Sequence, residues 1–303
     1  MMAVEAVEAQ PRLAPLGAAV TFVLAAGMAP VLVRFIRLSG LTVAVDGLWL
    51  GAGLCLVLLH GRGDRLSWES LRRSAPGGAA FGLSIVFFVS SVKLTTVTDA
   101  TIINALQPAL VFVVAGRLFG ERITLSHLAW SALAIAGVAV VLAGGGSRAG
   151  GDVIGDSLAA GALFAWAWYF VASKTARRAL GALEYQAGAA LMGAVVVTPV
   201  VLAAGATPLP QSLGTAGWLL VMALGGGGAH LLLNWAHAHV RLPLTSLLTL
   251  ACPVISAAGA AVVLGEPLAA LQIAGMVLTI GALAAIVPGM SRSSSPQPLP
   301  NSS

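Results

Sequence analysis

The sequence predicts an all-α integral membrane protein with ten transmembrane helices, arranged as two inverted five-helix repeats. The first observation is composition: 58% of the 303 residues are hydrophobic, 9% are charged, and the mean hydropathy is +0.94. Soluble domains carry about 25% charged residues, so a water-soluble fold would lack the polar surface to cover these side chains. The second observation is a series of ten apolar runs, and the third is a motif that occurs twice.

The ten apolar runs are the predicted membrane spans. A helix needs about 20 mostly apolar residues to cross a bilayer, and several of these runs are shorter or interrupted by glycine. Only 144–156 and 205–215 read as longer loops. In chain order, the predicted spans are 13–33, 41–59, 75–92, 99–117, 123–143, 157–173, 183–204, 216–236, 244–264 and 268–288.

The basic residues predict the orientation of these spans. Lys and Arg accumulate in cytoplasmic loops. With both termini in the cytoplasm, the inner side holds twelve basic residues and the outer side holds four: Arg34, Arg37, Lys93 and Arg148. An odd number of spans would remove this bias. We therefore expect both termini to be cytoplasmic and the bacterial inner membrane to be the location.

The repeat is visible in NALQPALVFVVAGRLFGE (104–121) and TLACPVISAAGAAVVLGE (249–266). Because each half has an odd number of spans, the two halves must cross the membrane in opposite orientations. The charges agree, because the loop after span 2 carries four arginines and its counterpart after span 7 carries none. Inverted repeats build alternating access around a midplane site. Three residue pairs lie 145 positions apart: Pro108 and Pro253, Gly120 and Gly265, and Glu121 and Glu266.

This pattern resembles the EamA-type branch of the drug/metabolite transporter superfamily. The shared motif is a proline early in the fourth helix of each repeat, followed by an apolar run that ends in Gly-Glu; here it reads LQPALVFVVAGRLFGERITL and ACPVISAAGAAVVLGEPLAA. The fifth helices, LAIAGVAVVLAGG and LTIGALAAIVPG, also match. The resemblance implies ten spans in two five-helix repeats with both termini inside. Many relatives carry Trp or Arg early in the second helix, where this chain has Asp46.

The expected organisation along the chain follows from the repeat. It comprises a cytoplasmic N-terminal segment (1–12), a first EamA-like repeat (13–145), a linker (146–156), a second EamA-like repeat (157–290) and a disordered cytoplasmic tail (291–303).

The paired prolines mark the predicted substrate pathway. A proline inside a helix lacks an N–H donor and clashes with the carbonyl four residues back. For Pro108 and Pro253 these carbonyls belong to Asn104 and Thr249, both polar, and Gln107 adds a side chain that can donate and accept hydrogen bonds. We interpret this pattern as a substrate-facing notch. The alternative is that the prolines kink two packed helices and the polar groups satisfy the freed backbone.

Asp46 is the predicted coupling residue because it is the deepest carboxylate in the apolar runs. A centred Asp costs on the order of 3 kcal/mol to insert, and ionisable groups inside a membrane are functional candidates by default. We therefore expect Asp46 to carry protons or to contact the substrate. Alternatively, it reaches the membrane interface or pairs with Arg34 or Arg37.

Spans 6 and 8 complete the predicted pathway. His230, Asn234 and His237 share one helix face. The nearby sequence supplies no Cys, Asp or Glu to complete a metal site, so we interpret this face as a polar stripe that lines a cavity. Trp166 and Tyr169 could stack on an aromatic or apolar substrate, although such residues also serve as packing or interface anchors.

These features predict a secondary transporter that exports a small neutral or zwitterionic metabolite, such as an amino acid, by alternating access. No Walker motif is present, so a proton gradient is the expected driver. Lys93 is the one basic residue deep enough in a span to bind phosphate. This lack of deep basic clusters disfavours nucleotide sugars as substrates. A broad-specificity exporter of hydrophobic drugs and a non-transporting membrane scaffold stay open as alternatives.

An enzyme is not predicted, because Asp152, Asp156 and Glu184 lie apart from the histidines in the predicted topology. The expected partners are a small-molecule substrate, the lipid bilayer and protons. No cofactor, metal or nucleic acid is predicted, and the sequence leaves homodimer formation open.

Overall fold

The computed structural model describes residues 2–33, 38–94, 103–119, 124–144, 153–206, 213–265 and 268–292. All secondary structure in these ranges is helical, which confirms the all-α prediction. The helices are α1 (Met2–Val33), α2 (Gly40–Gly61), α3 (Trp68–Leu94), α4 (Gln107–Phe119), α5 (Leu125–Gly144), α6 (Val153–Ala176), α7 (Ala182–Ala203), α8 (Leu213–Met222), α9 (Gly228–His237), α10 (Leu242–Leu248), α11 (Ala251–Leu264) and α12 (Ala270–Arg292).

These helices form ten segments at the positions of the ten predicted spans. A π-helical stretch, Ala223–Gly227, joins α8 to α9, and a short turn joins α10 to α11. Within the described residues, six segments are long and apolar enough to cross a membrane: Leu41–Gly61, Trp68–Ser91, Val153–Ala176, Ala182–Ala203, Leu213–His237 and Leu242–Val263. The other four correspond to shorter apolar helices: Ala14–Ala29, Ile103–Phe112, Leu125–Val141 and Ala270–Ala285.

Helix α3 begins at Trp68, earlier than the predicted start at 75. Its first two turns are polar, so a search for apolar runs misses them. The Ser70 amide donates to the Ser67 hydroxyl at 3.0 Å, which caps the helix, and Glu69 pairs with Arg73 at 2.6 Å. The cap supplies a partner for a helix N–H that has none inside the helix. Helix α1 likewise begins at Met2, before the predicted start at 13.

The two spans that carry Pro108 and Pro253 are each interrupted just before that proline. Leu106 forms a turn before α4, and Thr249–Leu250 forms a turn before α11. Pro108 and Pro253 therefore occupy the first turns of new helices, where a missing N–H costs little. The Thr249 carbonyl accepts the Cys252 amide at 3.0 Å, so part of the freed backbone is satisfied locally.

The helices pack into one bundle. Helix α3 packs on α6 and α7, α2 packs on α7, and α5 packs on α12. Helix α1 packs on α9 and α11, and α4 packs on α6 and α10. The first and second halves of the chain are thus interleaved and do not form separate units.

Glycine allows the closest helix crossings. On α3, a Cβ added to Gly82 would lie 2.7 Å from the Gly193 carbonyl oxygen of α7. Between α5 and α12, a Cβ added to Gly275 would lie 2.7 Å from the Gly137 carbonyl oxygen. Small residues promote this close approach of membrane helices, where packing contributes more than the hydrophobic effect.

The turns at 61–67, 177–181 and 238–241 lie at one end of the bundle, which we call the basic end. The Ser70 hydroxyl donates to Glu184 across two of these turns, and Lys174 Nζ donates to the Val240 carbonyl at 3.3 Å. The basic residues in or next to these turns are Arg62, Arg65, Arg72, Arg73, Lys174, Arg177, Arg178 and Arg241.

The Gly82 crossing predicts a stability difference between two glycine substitutions. Gly82→Ala should lower the free energy of unfolding by about 1–3 kcal/mol, because the new methyl group forces α3 away from α7. Gly53→Ala on α2 is the matched control, since no atom lies within 4 Å of its added Cβ. Denaturant titration of both purified variants tests this, and equal stability would contradict the tight crossing.

Candidate functional site

A cavity of about 390 Å³ lies in the middle of the bundle, between α1, α3, α4, α6, α9 and the α10–α11 turn. The helix breaks before Pro108 and Pro253 face it. Six of the residues predicted for the substrate pathway line this cavity: Asn104, Gln107, Trp166, His230, Thr249 and Pro253.

One wall of the cavity is aromatic. Phe81 stacks on Tyr169 with ring centroids 5.0 Å apart, and Trp166 stacks on Tyr169 at 5.2 Å. The His230 ring lies 4.7 Å from Phe81 and 5.2 Å from Phe22. Aromatic pairs in such geometries contribute about 0.5–1.5 kcal/mol beyond buried area. The wall therefore presents a rigid apolar surface to any occupant.

Gln107, at the start of α4, adds a polar side chain to the cavity lining. Its side chain is 1% exposed, and its Oε1 accepts from Ser246 Oγ at 2.7 Å. Its Nε2 atom has no hydrogen-bond partner among the described residues. A buried amide donor without a partner is costly, and a cavity occupant could satisfy it.

His230 is held in one tautomer by the π-helical stretch. Its Nδ1 atom lies 2.7 Å from the Gly226 carbonyl oxygen. Since a carbonyl only accepts, Nδ1 carries the proton, and Nε2 of the neutral ring is an acceptor. Because the ring lines the cavity, Nε2 is one of the polar groups that a cavity occupant can meet.

A buried polar cluster, which we call the Asn234 knot, consists of Tyr169, Ser173, Gln186, Asn234 and His237. Its members are at most 2% exposed. Asn234 Oδ1 accepts from Tyr169 Oη at 3.1 Å and from Ser173 Oγ at 2.6 Å, and Asn234 Nδ2 donates to Gln186 Oε1. Ser173 Oγ thereby uses its proton, so at 2.8 Å it accepts from His237 Nδ1. The knot joins α6, α7 and α9.

The knot lies between the cavity and the basic end. Tyr169 does not line the cavity, but its ring stacks on Phe81 and Trp166 of the aromatic wall and its hydroxyl belongs to the knot. On the other side of the knot, Arg177 Nε donates to the Asn234 carbonyl at 2.9 Å. The arginine also donates to the Leu180 carbonyl. Packed, hydrogen-bonded side chains thus separate the cavity from the basic end.

A second cavity of about 500 Å³ lies at the basic end. Arg62, Asp64 and Arg65 line it, and all three are exposed. Its charged lining is solvated. Six residues predicted for the substrate pathway line the central cavity instead, and this cavity is therefore the candidate site.

The remaining predicted residues lie elsewhere. Pro108 is buried, and Asp46 is 8% exposed on α2; neither lines the central cavity. The side chain of Lys93, together with Glu121 and Glu266, lies outside the described residues, as do Arg34, Arg37 and Asp152. Within the described residues, no three His, Cys, Asp or Glu side chains come together to hold a metal.

Sequence reasoning did not find several residues of the site. Phe22 and Phe81 are apolar residues in apolar spans, so nothing distinguishes them before the helices are assembled. Ser173, Gln186 and Ser246 carry a usable signal, because polar groups inside spans need partners in the protein. Their partners are far away in the sequence and become visible only in the packed bundle.

Comparison with known proteins places the chain among transporters. The EamA-like transporter family model matches residues 14–143 and 153–287. A curated protein of Ancylobacter novellus, named aromatic amino acid exporter YddG, is 30% identical over 190 residues, covering 59% of this chain and 62% of that protein. The match thus spans less than two thirds of the exporter. One solved crystal structure shares the fold, with a TM-score of 0.77, 20% identity and coverage of 91% of this chain and 97% of that one.

The Asn234 knot predicts coupled losses of stability. Asn234→Leu should lower the free energy of unfolding by about 1–2 kcal/mol, because Gln186 and Ser173 lose their partner. Gln186→Leu should lower the free energy of unfolding less in the Asn234→Leu background than in the original protein. A double-mutant cycle measures this difference. Thr175→Val is the control, since Thr175 is exposed and its hydroxyl donates within its own helix, to the Val171 carbonyl. Strictly additive losses would contradict the knot.

Proposed function

Because the chain belongs to the EamA-like transporter family, we propose that it is an exporter of a small neutral or zwitterionic metabolite, an amino acid with an aromatic or apolar side chain. The observation that carries this proposal is the central cavity, which combines an aromatic wall with uncharged polar groups. The chain is an integral membrane protein, and the substrate crosses through this cavity.

The lining of the cavity argues for an uncharged or internally neutral substrate. Among the described residues that line it, none is Asp, Glu, Lys or Arg. A singly charged ligand would lose its hydration without gaining an ion pair, which is costly. A zwitterion carries its own compensating charges. The volume of about 390 Å³ falls at the low end of ligand cavities, which span about 300–1,000 Å³, and therefore suits a small metabolite.

The named relative supports the substrate class. The Ancylobacter novellus protein is called an aromatic amino acid exporter. Trp166 and Phe81 line the cavity and provide the stacking surfaces that an aromatic side chain requires, and the fully buried Tyr169 packs against both rings. The same apolar wall is also compatible with a broad-specificity exporter of hydrophobic drugs. Saturable flux with discrimination between amino acids would separate the two functions.

Helix pairing supports an inverted repeat and alternating access. We number the ten segments in chain order as spans 1–10. If each span is exchanged for its counterpart five places away, the contact between spans 3 and 6 becomes the contact between spans 8 and 1, which is also present. The contact of spans 4 and 6 maps onto that of spans 9 and 1, while the pairs 2 and 7, 4 and 9, and 5 and 10 map onto themselves. Such two-fold pairing is the pattern expected when two related halves rock around a shared site.

The basic end supports a cytoplasmic location for both termini in a bacterial inner membrane. Eight of the basic residues assigned to the inner side meet there, as cytoplasmic loops require. With this orientation, the Asn234 knot closes the cavity on the cytoplasmic side. Opening to the cytoplasm would then require α6, α7 and α9 to separate at the knot.

Saturable transport tests the proposed function. In proteoliposomes with an imposed pH gradient, labelled phenylalanine should show saturable flux, whereas arginine and glutamate should show little. Trp166→Ala should reduce phenylalanine flux about 5- to 10-fold at low concentration, the equivalent of roughly 1 kcal/mol of lost stacking. Trp168→Ala is the matched control, because this neighbour is 53% exposed. Flux that stays linear for every compound would contradict the proposal.

Asp46 is the proposed proton-coupling residue, and its substitution separates coupling from transport. Asp46→Asn should abolish flux driven by the pH gradient but keep exchange between equal substrate pools, because the amide cannot titrate. Asp64→Asn, in the exposed turn at the basic end, should change neither. Full gradient-driven flux in Asp46→Asn would show that protons couple elsewhere or not at all.

A further inference from the structure

We propose that Gln107 and His230 form a donor–acceptor pair that recognises the carboxylate and the amino group of the substrate, with Ser246 as the residue that positions Gln107. This inference rests on the proposed function and specifies which atoms select an amino acid. Gln107 Nε2 donates to a carboxylate oxygen, and His230 Nε2 accepts from the amino group.

The orientation of the Gln107 amide follows from Ser246. The Ser246 hydroxyl makes its one side-chain hydrogen bond within the described residues to Gln107 Oε1, at 2.7 Å. If the amide were flipped, Nε2 would face the hydroxyl and the Ser246 proton would lose its acceptor. Since buried polar groups are nearly always paired, Ser246 fixes Oε1 on its own side. The Nε2 donor is left for the cavity occupant.

The His230 acceptor is fixed in a comparable way. The Gly226 carbonyl holds the proton on Nδ1, at 2.7 Å. No Asp or Glu is among the described lining residues, so a charged imidazolium would have no counter-ion there. The neutral ring therefore presents Nε2 as an acceptor, and Nε2 has no hydrogen-bond partner in the described part of the chain.

Other polar lining groups already have backbone partners. The Ser84 hydroxyl donates to the Phe81 carbonyl at 2.7 Å, and the Thr249 hydroxyl donates to the Ser246 carbonyl at 2.6 Å. Asn104 Nδ2 donates to the Ala159 carbonyl at 3.4 Å. Gln107 Nε2 and His230 Nε2 thus leave one donor and one acceptor without a partner among the described residues. An α-amino acid offers the complementary acceptor and donor on adjacent atoms, with no net charge.

Three probes that share a phenyl ring separate the two contacts. L-Phenylalanine has both groups, phenethylamine lacks the carboxylate, and 3-phenylpropionate lacks the amino group. Isothermal titration of the purified full chain measures the binding of each. We expect phenylalanine to bind about 10- to 100-fold more tightly than either analogue, because each analogue leaves one buried protein group unpaired and carries a net charge that the lining does not neutralise.

Two variants should remove these preferences separately. Gln107→Leu, combined with Ser246→Ala so that no hydroxyl is orphaned, should weaken phenylalanine and 3-phenylpropionate about 10-fold or more and leave phenethylamine within about 2-fold. His230→Phe should weaken phenylalanine and phenethylamine and spare 3-phenylpropionate. Gln272→Leu and His239→Phe are the controls, because both residues lie outside the cavity lining.

The positioning role of Ser246 has its own readout. Ser246→Ala should raise the KM for phenylalanine and leave kcat unchanged, and Ser246→Thr, which keeps the hydroxyl, should restore the KM. A structural role alone would weaken all three probes equally and would not respond to the threonine rescue.

The outcomes separate this inference from the proposed function. A protein that exports phenylalanine but binds phenethylamine as tightly would overturn the donor–acceptor pair and leave the function standing. Equal weakening of all three probes in the Gln107 and His230 variants would overturn it as well. A protein that neither binds nor transports any of the three probes would overturn both.

Discussion

Hydrocarbon offers no hydrogen bonds, and this constraint organises the polar residues of the protein. Each polar group within a span must find a partner inside the bundle. The Asn234 knot is one result: Asn234 uses both its oxygen and its nitrogen to join α6, α7 and α9. The Ser246–Gln107 hydrogen bond is another, and it joins α10 to α4. Gln107 lines the cavity and its Nε2 donor has no partner among the described residues, so a ligand there can supply one.

The cavity and the knot are physically connected through Tyr169. Its ring stacks on Trp166 and Phe81 in the aromatic wall, while its hydroxyl bonds Asn234. A substrate that stacks against Trp166 thus lies one side chain from the hydrogen bonds that hold α6, α7 and α9 together. Hydrogen bonds between membrane helices contribute about 1 kcal/mol each, so a small ligand can supply enough differential binding energy to shift such a cluster.

Much of the fold follows from the sequence, because membrane thickness and helix geometry dictate the length of each apolar run. The charged first turns of α3 escaped this rule, since Ser67 and Glu69 stabilise a helix that no apolar pattern indicates. Asn104, Gln107 and Thr249, which line the cavity, stand out in the sequence because a polar residue beside a proline is costly in lipid unless it has a hydrogen-bond partner. The aromatic wall could not be located, since Phe22 and Phe81 look like any lipid-facing phenylalanine until the helices pack.

Locating a bound substrate tests the central claim, that the cavity between α1, α3, α4, α6, α9 and the α10–α11 turn is the transport site. A crystal structure of the full chain with 4-bromophenylalanine would place the ring by the anomalous scattering of bromine. We expect the bromine signal within the aromatic wall beside Trp166 and Phe81, with the amino acid group towards Gln107 and His230. A signal instead in the second cavity, at the basic end beside Arg62 and Trp235, would contradict the assignment of the site.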